Sequence, residues 1–164
     1  MNEADILTYI LRRNQDFIAK ATDGLSHAES VLQLPGESNC MNWVLGHVAV
    51  YRDVMLSGIS QANHMTTTEV ELYNYNSKPI TTRSKSSSLE QLLATLQKTY
   101  AALSEWLEKN PEGVNKETPP DIQIRKGETV TEHFAFLCWH ESNHVGELHA
   151  LRELALVSLG KGWK

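Results

Sequence analysis

Four long stretches of this 164-residue chain repeat their apolar residues every three or four positions, the spacing that places them on one face of an α-helix. They cover residues 3–23, residues 41–56, a stretch from Ser88 to Asn110, and residues 130–159. Four such helices bury their apolar faces against one another, and no alternating pattern typical of strands competes with them. The chain is therefore predicted to be all-α and to fold as a four-helix bundle, with residues 1–164 forming a single helical domain.

Long polar connections follow the second and third predicted helices. The first, residues 58–87, contains Tyr73 and Tyr75, and a structureless loop of this length is unusual in a compact domain. We expect it to hold a short helix or to act as a lid, and a merely solvated loop is the alternative. The second connection is predicted to carry one short extended piece over residues 122–124.

Capping signals mark where two of these helices begin. Ser88 is followed by Gln91, and Thr129 by Glu132, at the three-residue spacing of a capping box. This spacing predicts that the third helix starts after Ser88 and the fourth after Thr129.

Charge and cysteine content exclude several classes of protein. The chain has 20 Asp and Glu against 15 Lys and Arg, whereas nucleic-acid binding requires a basic surface. Its two cysteines, Cys40 and Cys138, are too few for a disulfide scaffold and are typical of a reducing compartment. No apolar run reaches the ~20 residues of a membrane span, and the amino terminus lacks the features of a signal peptide. We therefore expect a cytoplasmic protein that binds neither nucleic acid nor membrane.

Three histidines are candidate metal ligands. His140 and His144 lie about 40° apart around the fourth helix and one turn from each other, so two imidazoles can bind one ion. Leu137 and Leu148 share their face, and His47 lies within the apolar stripe of the second helix. A lone histidine on an apolar face is usually a hydrogen-bonded core residue, but three on two inward faces favour a divalent metal site. Three neutral imidazoles suit Zn, Ni, Cu or Fe(II) and leave a coordination position open for water or substrate.

Other residues near this pattern receive different interpretations. Glu147 returns to the same face seven residues after His140, where it is expected to orient an imidazole or to act as a weak fourth ligand. His133 is expected in the core or at its rim, and His149 on the opposite, solvated side. Cys138, about 200° from His140, is expected to face away from the metal.

The segment from His140 to His144 also matches H-E-x-x-H, the helix of zinc metalloproteases in which Glu is the general base. The longer pattern fails, because Gly146 and His149 each fall one residue short of the positions it requires. No edge strand that would hold a peptide precedes the motif. A metalloprotease is therefore disfavoured, and Glu141 is kept as a candidate base or orienting group beside the metal.

Two segments resemble motifs of the DinB/YfiT-like metal-binding four-helix bundles of the DinB superfamily. Residues 42–47, Asn-Trp-Val-Leu-Gly-His, resemble the N-W-x-x-G-H element of that family. Residues 140–148 resemble its H-x-x-x-H-x-G-Q-L element, with Arg152 in the following turn, and Glu147 stands where the family usually has Gln. The resemblance spans nearly the whole chain.

The resemblance implies an up-down-down-up bundle that often dimerises, in which His47, His140 and His144 bind Zn or Ni. Some relatives are thiol S-transferases or isomerases that use a low-molecular-weight thiol, which implies a small-molecule substrate and a homodimer.

Three functions remain open on the sequence. The first is a metal-dependent enzyme, such as a transferase that activates a small thiol. The second is a metal-dependent hydrolase with Glu141 or Glu147 as base. The third is a non-catalytic metal-binding or stress-related dimeric protein.

Overall fold

The computed structural model describes residues 2–34, 36 and 38–161, and within them it contains six α-helices and one short 3-10 helix. Four helices are long: α1 (Glu3–Thr22), α3 (Met41–Gly58), α5 (Leu89–Lys109) and α6 (Val130–Ser158). The short elements are α2 (His27–Ser30), α4 (Thr67–Tyr73) and the 3-10 turn Gly113–Asn115. The described residues contain no strand, so the predicted all-α class is confirmed.

Side-chain caps fix where the long helices begin. The Gln91 backbone N–H donates to Ser88 Oγ at 3.1 Å, and the Ser88 N–H donates to the Gln91 side chain at 2.8 Å. Thr129 and Glu132 form the same reciprocal pair at the start of α6. Each cap satisfies N–H groups that the first helical turn leaves without partners, which stabilises the helix by ~1 kcal/mol. Both predicted capping boxes are confirmed.

α3 is the most enclosed helix of the bundle. It packs against α5, α6 and the short α4, while α1 packs against α5 and α6. Every residue from Met41 to Val50 is buried. Polar side chains in this stretch therefore require hydrogen-bond partners, because an unsatisfied buried polar group costs ~1–3 kcal/mol.

The buried apolar side chains form two clusters along the bundle. The first surrounds the amino-terminal half of α3 and includes Val44, Leu45, Leu92 and Leu148. The second includes Leu11, Met55, Leu103 and Phe134. Each such side chain contributes ~1.5–3 kcal/mol by leaving water. The candidate histidines of α3 and α6 lie beside the first cluster.

One buried guanidinium connects all four long helices. Arg52 of α3 donates to both carboxylate oxygens of Glu141 of α6, at 2.7 and 3.1 Å. It also donates to Gln15 Oε1 of α1 at 2.7 Å and to the Leu96 carbonyl of α5 at 2.8 Å. Arg52 is fully buried, so these bonds replace the water it loses on folding.

The two long connections differ in how they are built. The first contains α4, so the predicted short helix is present. In the second, the predicted extended piece at residues 122–124 is wrong, because the chain passes there from a turn at 122 into a bend at 124. The Glu128 carboxylate accepts the Ile124 N–H at 2.6 Å and the Arg125 N–H at 3.2 Å, which closes the chain into a loop. No helix within the described ranges is both long and apolar enough to cross a membrane.

Candidate metal centre

Three histidines from two helices converge at one point. α3 supplies His47, which is 2% exposed, and α6 supplies the half-buried His140 and His144. One ring nitrogen from each lies within 4.8 Å of the other two, and the Nε2 atoms of His140 and His144 are 3.2 Å apart. The three residues predicted from the sequence to share an ion are therefore brought together.

Hydrogen bonds select which nitrogen of His47 faces this point. Its Nδ1 lies 2.7 Å from the carbonyl oxygen of Tyr73, and a carbonyl only accepts, so Nδ1 carries the proton. The lone pair is then on Nε2. The indole of Trp43 stacks on the imidazole at a centroid distance of 4.5 Å, and Tyr51 packs at 4.7 Å. These contacts leave His47 little freedom to rotate.

His144 is oriented in the same manner by a carboxylate. Its Nδ1 lies 3.0 Å from Glu147 Oε2, so Nε2 again carries the lone pair. Glu147 thus occupies the position expected of an acceptor that orients an imidazole. The ring of His140 packs on Tyr51 at 4.5 Å, and its buried Nδ1 has no hydrogen-bond partner among the described residues.

This donor set fits a divalent ion of the Zn or Ni type. Two imidazole nitrogens on a tetrahedral zinc ion, each ~2.0–2.1 Å from it, are about 3.3 Å apart, close to the observed Nε2 separation of 3.2 Å. Without an ion, a His140 that carries its proton on Nε2 can donate it to the Nε2 lone pair of His144, and a bound ion would replace this hydrogen bond. Imidazole nitrogens are ligands suited to Zn, Ni, Cu and Fe.

Burial favours the neutral, metal-binding form of His47 and His140. Removal from water lowers the pKa of His47 to about 4, against the opposing effect of the Tyr73 carbonyl. Removal from water, reinforced by neighbouring His144, also lowers the pKa of His140. Ligation requires deprotonated nitrogens, so both are competent near neutral pH without first losing a proton.

Glu141 is engaged elsewhere. Both of its oxygens accept hydrogen bonds from Arg52, and the side chain is buried. The structure therefore directs it to the interhelical ion pair rather than to the histidines, although it lies between His140 and His144 in the sequence. In this H-E-x-x-H segment the two histidines are candidate metal ligands, whereas the glutamate forms a structural ion pair.

The remaining histidines and cysteines lie outside the cluster. His133 is buried and bonds to Glu128 Oε1 at 2.8 Å, while His149 is exposed, as the helical spacing indicates. Cys138 is buried in the second apolar cluster, where burial raises the pKa of its thiol. Cys40 is buried in the first apolar cluster.

Sequence reasoning missed the role of Tyr73. Tyr73 is fully buried, whereas Tyr75 is 73% exposed. The available signal was the three-residue spacing of Val70 and Tyr73, typical of a short amphipathic helix. The contacts of the Tyr51 ring with His47 and His140 were not predicted either.

Comparison with known proteins agrees with the fold and the motifs. The chain matches the model of the DinB superfamily over residues 10–148. A crystal structure described as that of a conserved protein from Enterococcus faecalis has a TM-score of 0.66 at 14% identity, covering 96% of this chain and 99% of that chain. At that identity the likeness concerns the fold alone. The comparison with curated proteins gives no significant match. Because the family match runs from α1 to α6, this protein belongs to the DinB superfamily.

Proposed function

We propose that this protein is a metal-dependent enzyme that binds Zn or Ni through His47, His140 and His144 and transfers a low-molecular-weight thiol. The observation that carries the proposal is the convergence of three ring nitrogens within 4.8 Å of one another, two of them with their lone pairs fixed by neighbouring acceptors. Three ring nitrogens that converge in this way can bind one divalent ion together.

The number and type of ligands favour an open site. Structural zinc sites normally use four protein ligands, whereas catalytic sites use three and keep one position for water or substrate. Cys40 and Cys138, the thiol groups of this chain, are buried in the apolar clusters. A thiol at the fourth position would therefore come from a substrate.

A bound divalent ion supplies Lewis acidity, which stabilises the thiolate form of a small thiol at neutral pH. In the overall transfer, sulfur would form a bond to an electrophilic carbon of the second substrate while the bond between that carbon and its leaving group breaks, and the thiol proton would depart with the leaving group. Tyr73 and Glu147 hold the imidazoles in place, and the rings of Trp43 and Tyr51 flank His47.

Metal-dependent hydrolysis is the second candidate, and the carboxylates favour it less. Glu141 is bound to Arg52 at both oxygens. Glu147 is bound to His144 through one oxygen, which leaves the other as the available base near the site. A non-catalytic metal-binding or stress-related role is the third candidate, and no contact among the described residues argues for it specifically.

Metal analysis and a thiol-dependent assay test the proposal together. Protein purified without chelators is expected to hold about one ion per chain, which His47→Ala and His140→Ala lose and His149→Ala, an exposed control on the same helix, retains. The loaded protein is then assayed with several thiols and a model electrophile. Metal-free wild-type protein would overturn the site, and turnover that persists without thiol would favour the hydrolase.

We further propose a homodimer formed through the outer face of α1 and α6. This face exposes several large apolar side chains: Ile6, Tyr9, Phe17, Phe136 and Trp139. Two of them, Ile6 and Trp139, line a groove of about 410 Å³ between the two helices. With ~150–250 Å² per aromatic ring, these exposed fractions leave on the order of 400 Å² of apolar area, about half of what each partner buries in a standard interface. A second copy is the simplest occupant, because most soluble oligomers are two-fold dimers.

A cytoplasmic location is also proposed. Its support is the pair of free, buried cysteines, which are typical of proteins in a reducing compartment.

A further inference from the structure

We propose that Tyr73 is a positioning residue for the metal centre: the connection between α3 and α5 docks this residue on α3 so that its carbonyl sets the tautomer of His47. The inference rests on the proposed metal site. It gives the connection between α3 and α5 the role of orienting one of the metal ligands.

Four residues in the first motif of α3 contact the same short segment. Asn42 accepts a hydrogen bond from the Tyr73 hydroxyl at 3.0 Å. Trp43 donates its indole N–H to Ser77 Oγ at 2.8 Å. His47 bonds to the Tyr73 carbonyl at 2.7 Å.

Gly46 provides the fourth contact, because the absence of a side chain lets the Tyr73 ring approach its backbone closely. A Cβ at this position would lie 2.2 Å from Tyr73 Cδ1 and 2.3 Å from Cγ. These are ring atoms of a fully buried side chain, so the ring occupies the space that glycine leaves open. The glycine is therefore required by the close approach of Tyr73 and not by backbone conformation.

The far end of the Tyr73 side chain is also fixed. Its hydroxyl accepts the Ser87 backbone N–H at 2.9 Å, while Asn42 Nδ2 donates to the Ser87 carbonyl at 3.0 Å. Ser87 directly precedes the cap of α5. The Tyr73 side chain is therefore held at its ring, which packs on Gly46, and at its hydroxyl, which bonds to Asn42 and Ser87. The carbonyl of Tyr73 is thereby held at a defined place against α3.

This placement has a chemical consequence for His47. A neutral imidazole carries its proton on one nitrogen, and the nitrogen that donates to a carbonyl is the one that keeps it. The Tyr73 carbonyl therefore keeps the proton of His47 on Nδ1, so that Nε2 carries a lone pair in the metal-free protein. In the N-W-x-x-G-H motif, Asn42, Trp43 and Gly46 thus form the surface on which the connection between α3 and α5 packs, and His47 is the candidate metal ligand.

The direct test is the ring tautomer of His47 in metal-free protein, read from nitrogen–proton correlation spectra of ¹⁵N-histidine-labelled samples. The wild type is expected to show the Nδ1–H form. Gly46→Ala displaces the Tyr73 ring, and we expect a mixed or Nε2–H tautomer together with at least about tenfold weaker binding of zinc, in line with the loss seen when partners of metal ligands are removed.

Gly58→Ala is the matched control. It adds the same methyl group to α3, against His133 Cδ2 at 2.9 Å, but away from the metal centre. Ala also has a higher helix propensity than Gly at interior positions such as 46, so fraying of α3 does not account for a loss in Gly46→Ala. Gly58→Ala is expected to keep the Nδ1–H tautomer and wild-type zinc affinity, whatever its melting temperature.

Three outcomes would overturn the role of Tyr73: an Nε2–H tautomer in the wild type, unchanged zinc affinity in folded Gly46→Ala, or equal losses in Gly58→Ala. If Gly46→Ala does not fold, Tyr73→Phe replaces it, since it keeps the ring and removes the hydroxyl bonds to Asn42 and Ser87. It is expected to weaken zinc binding, and unchanged binding would contradict the proposal. A wild type that binds no metal would overturn the proposed function, while the metal-free spectrum would still decide the tautomer.

Discussion

Arg52 and Glu141 form a two-bond ion pair inside the bundle, with N–O distances of 2.7 and 3.1 Å and almost no exposure of either side chain. The pair joins α3 to α6, the two helices that carry the candidate metal ligands. A charge in this position is tolerated only while its partner remains, because an isolated buried ion is strongly destabilising.

Glu141→Leu is therefore expected to lower the free energy of unfolding by ~3–5 kcal/mol, since it leaves the Arg52 guanidinium buried without its counter-charge. The double variant Arg52→Met/Glu141→Leu removes both charges and is expected to recover most of the loss. Urea unfolding of metal-free protein measures both. A single variant as stable as the wild type would contradict the pairing, and equal stability of the single and double variants would show that the charge is not the cause.

Glu147→Ala is expected to weaken zinc binding by about tenfold, because His144 loses the acceptor that orients its ring. Glu147→Gln retains an acceptor oxygen and is expected to lose much less. Competition titration against a chelating dye gives the dissociation constants, with Glu108→Ala, an exposed position on α5, as control. If the alanine and glutamine variants bind zinc equally well, Glu147 does not orient the ligand.

Stability of the metal-free protein is expected to depend on pH through His47. Because folding lowers the pKa of this imidazole from 6.5 to about 4, the unfolded chain binds more protons between these values. The free energy of unfolding should thus be highest above pH 6.5 and fall by up to about 3 kcal/mol as the pH decreases to about 4. Chemical unfolding across this range measures it. His47→Gln should flatten the dependence, and an unchanged slope in that variant would assign it to other groups.

Trp139→Glu is expected to convert the proposed dimer to a monomer, because it places a charge on the apolar face of α1 and α6, where the tryptophan is 61% exposed. Multi-angle light scattering of the wild type and the variant gives their masses. Tyr75→Glu, at a position 73% exposed on the connection after α3, is the control and is expected to stay dimeric. Wild-type protein of monomer mass at high concentration would refute the interface.

Local patterns were sufficient to predict much of this protein, since helical spacing and capping depend on residues three or four positions apart. The same spacing placed His140 beside His144. Pairing them with His47 required an assumption about how two helices face each other, which the family resemblance supported.

What escaped the sequence depends on contacts across the fold. Tyr73 acts on His47 through a backbone carbonyl, and a carbonyl has no residue-specific signature. Glu141 lies about 100° around α6 from His140, so helical spacing predicts that it points away from the histidines. Its partner, the buried Arg52, is set by how α3 packs against α6 and has no local sequence signal. The 122–124 segment was misassigned because the Glu128 carboxylate, rather than local propensity, decides its path.

The candidate ligands lie on helices that are far apart in the chain, one on α3 and two on α6. An ion held there is a removable cross-link that only the native structure can form. Its contribution to stability grows with the logarithm of free metal concentration, reaching about 2.7 kcal/mol at a hundred times the dissociation constant. The folded population, and with it resistance to proteolysis, would then rise and fall with metal supply.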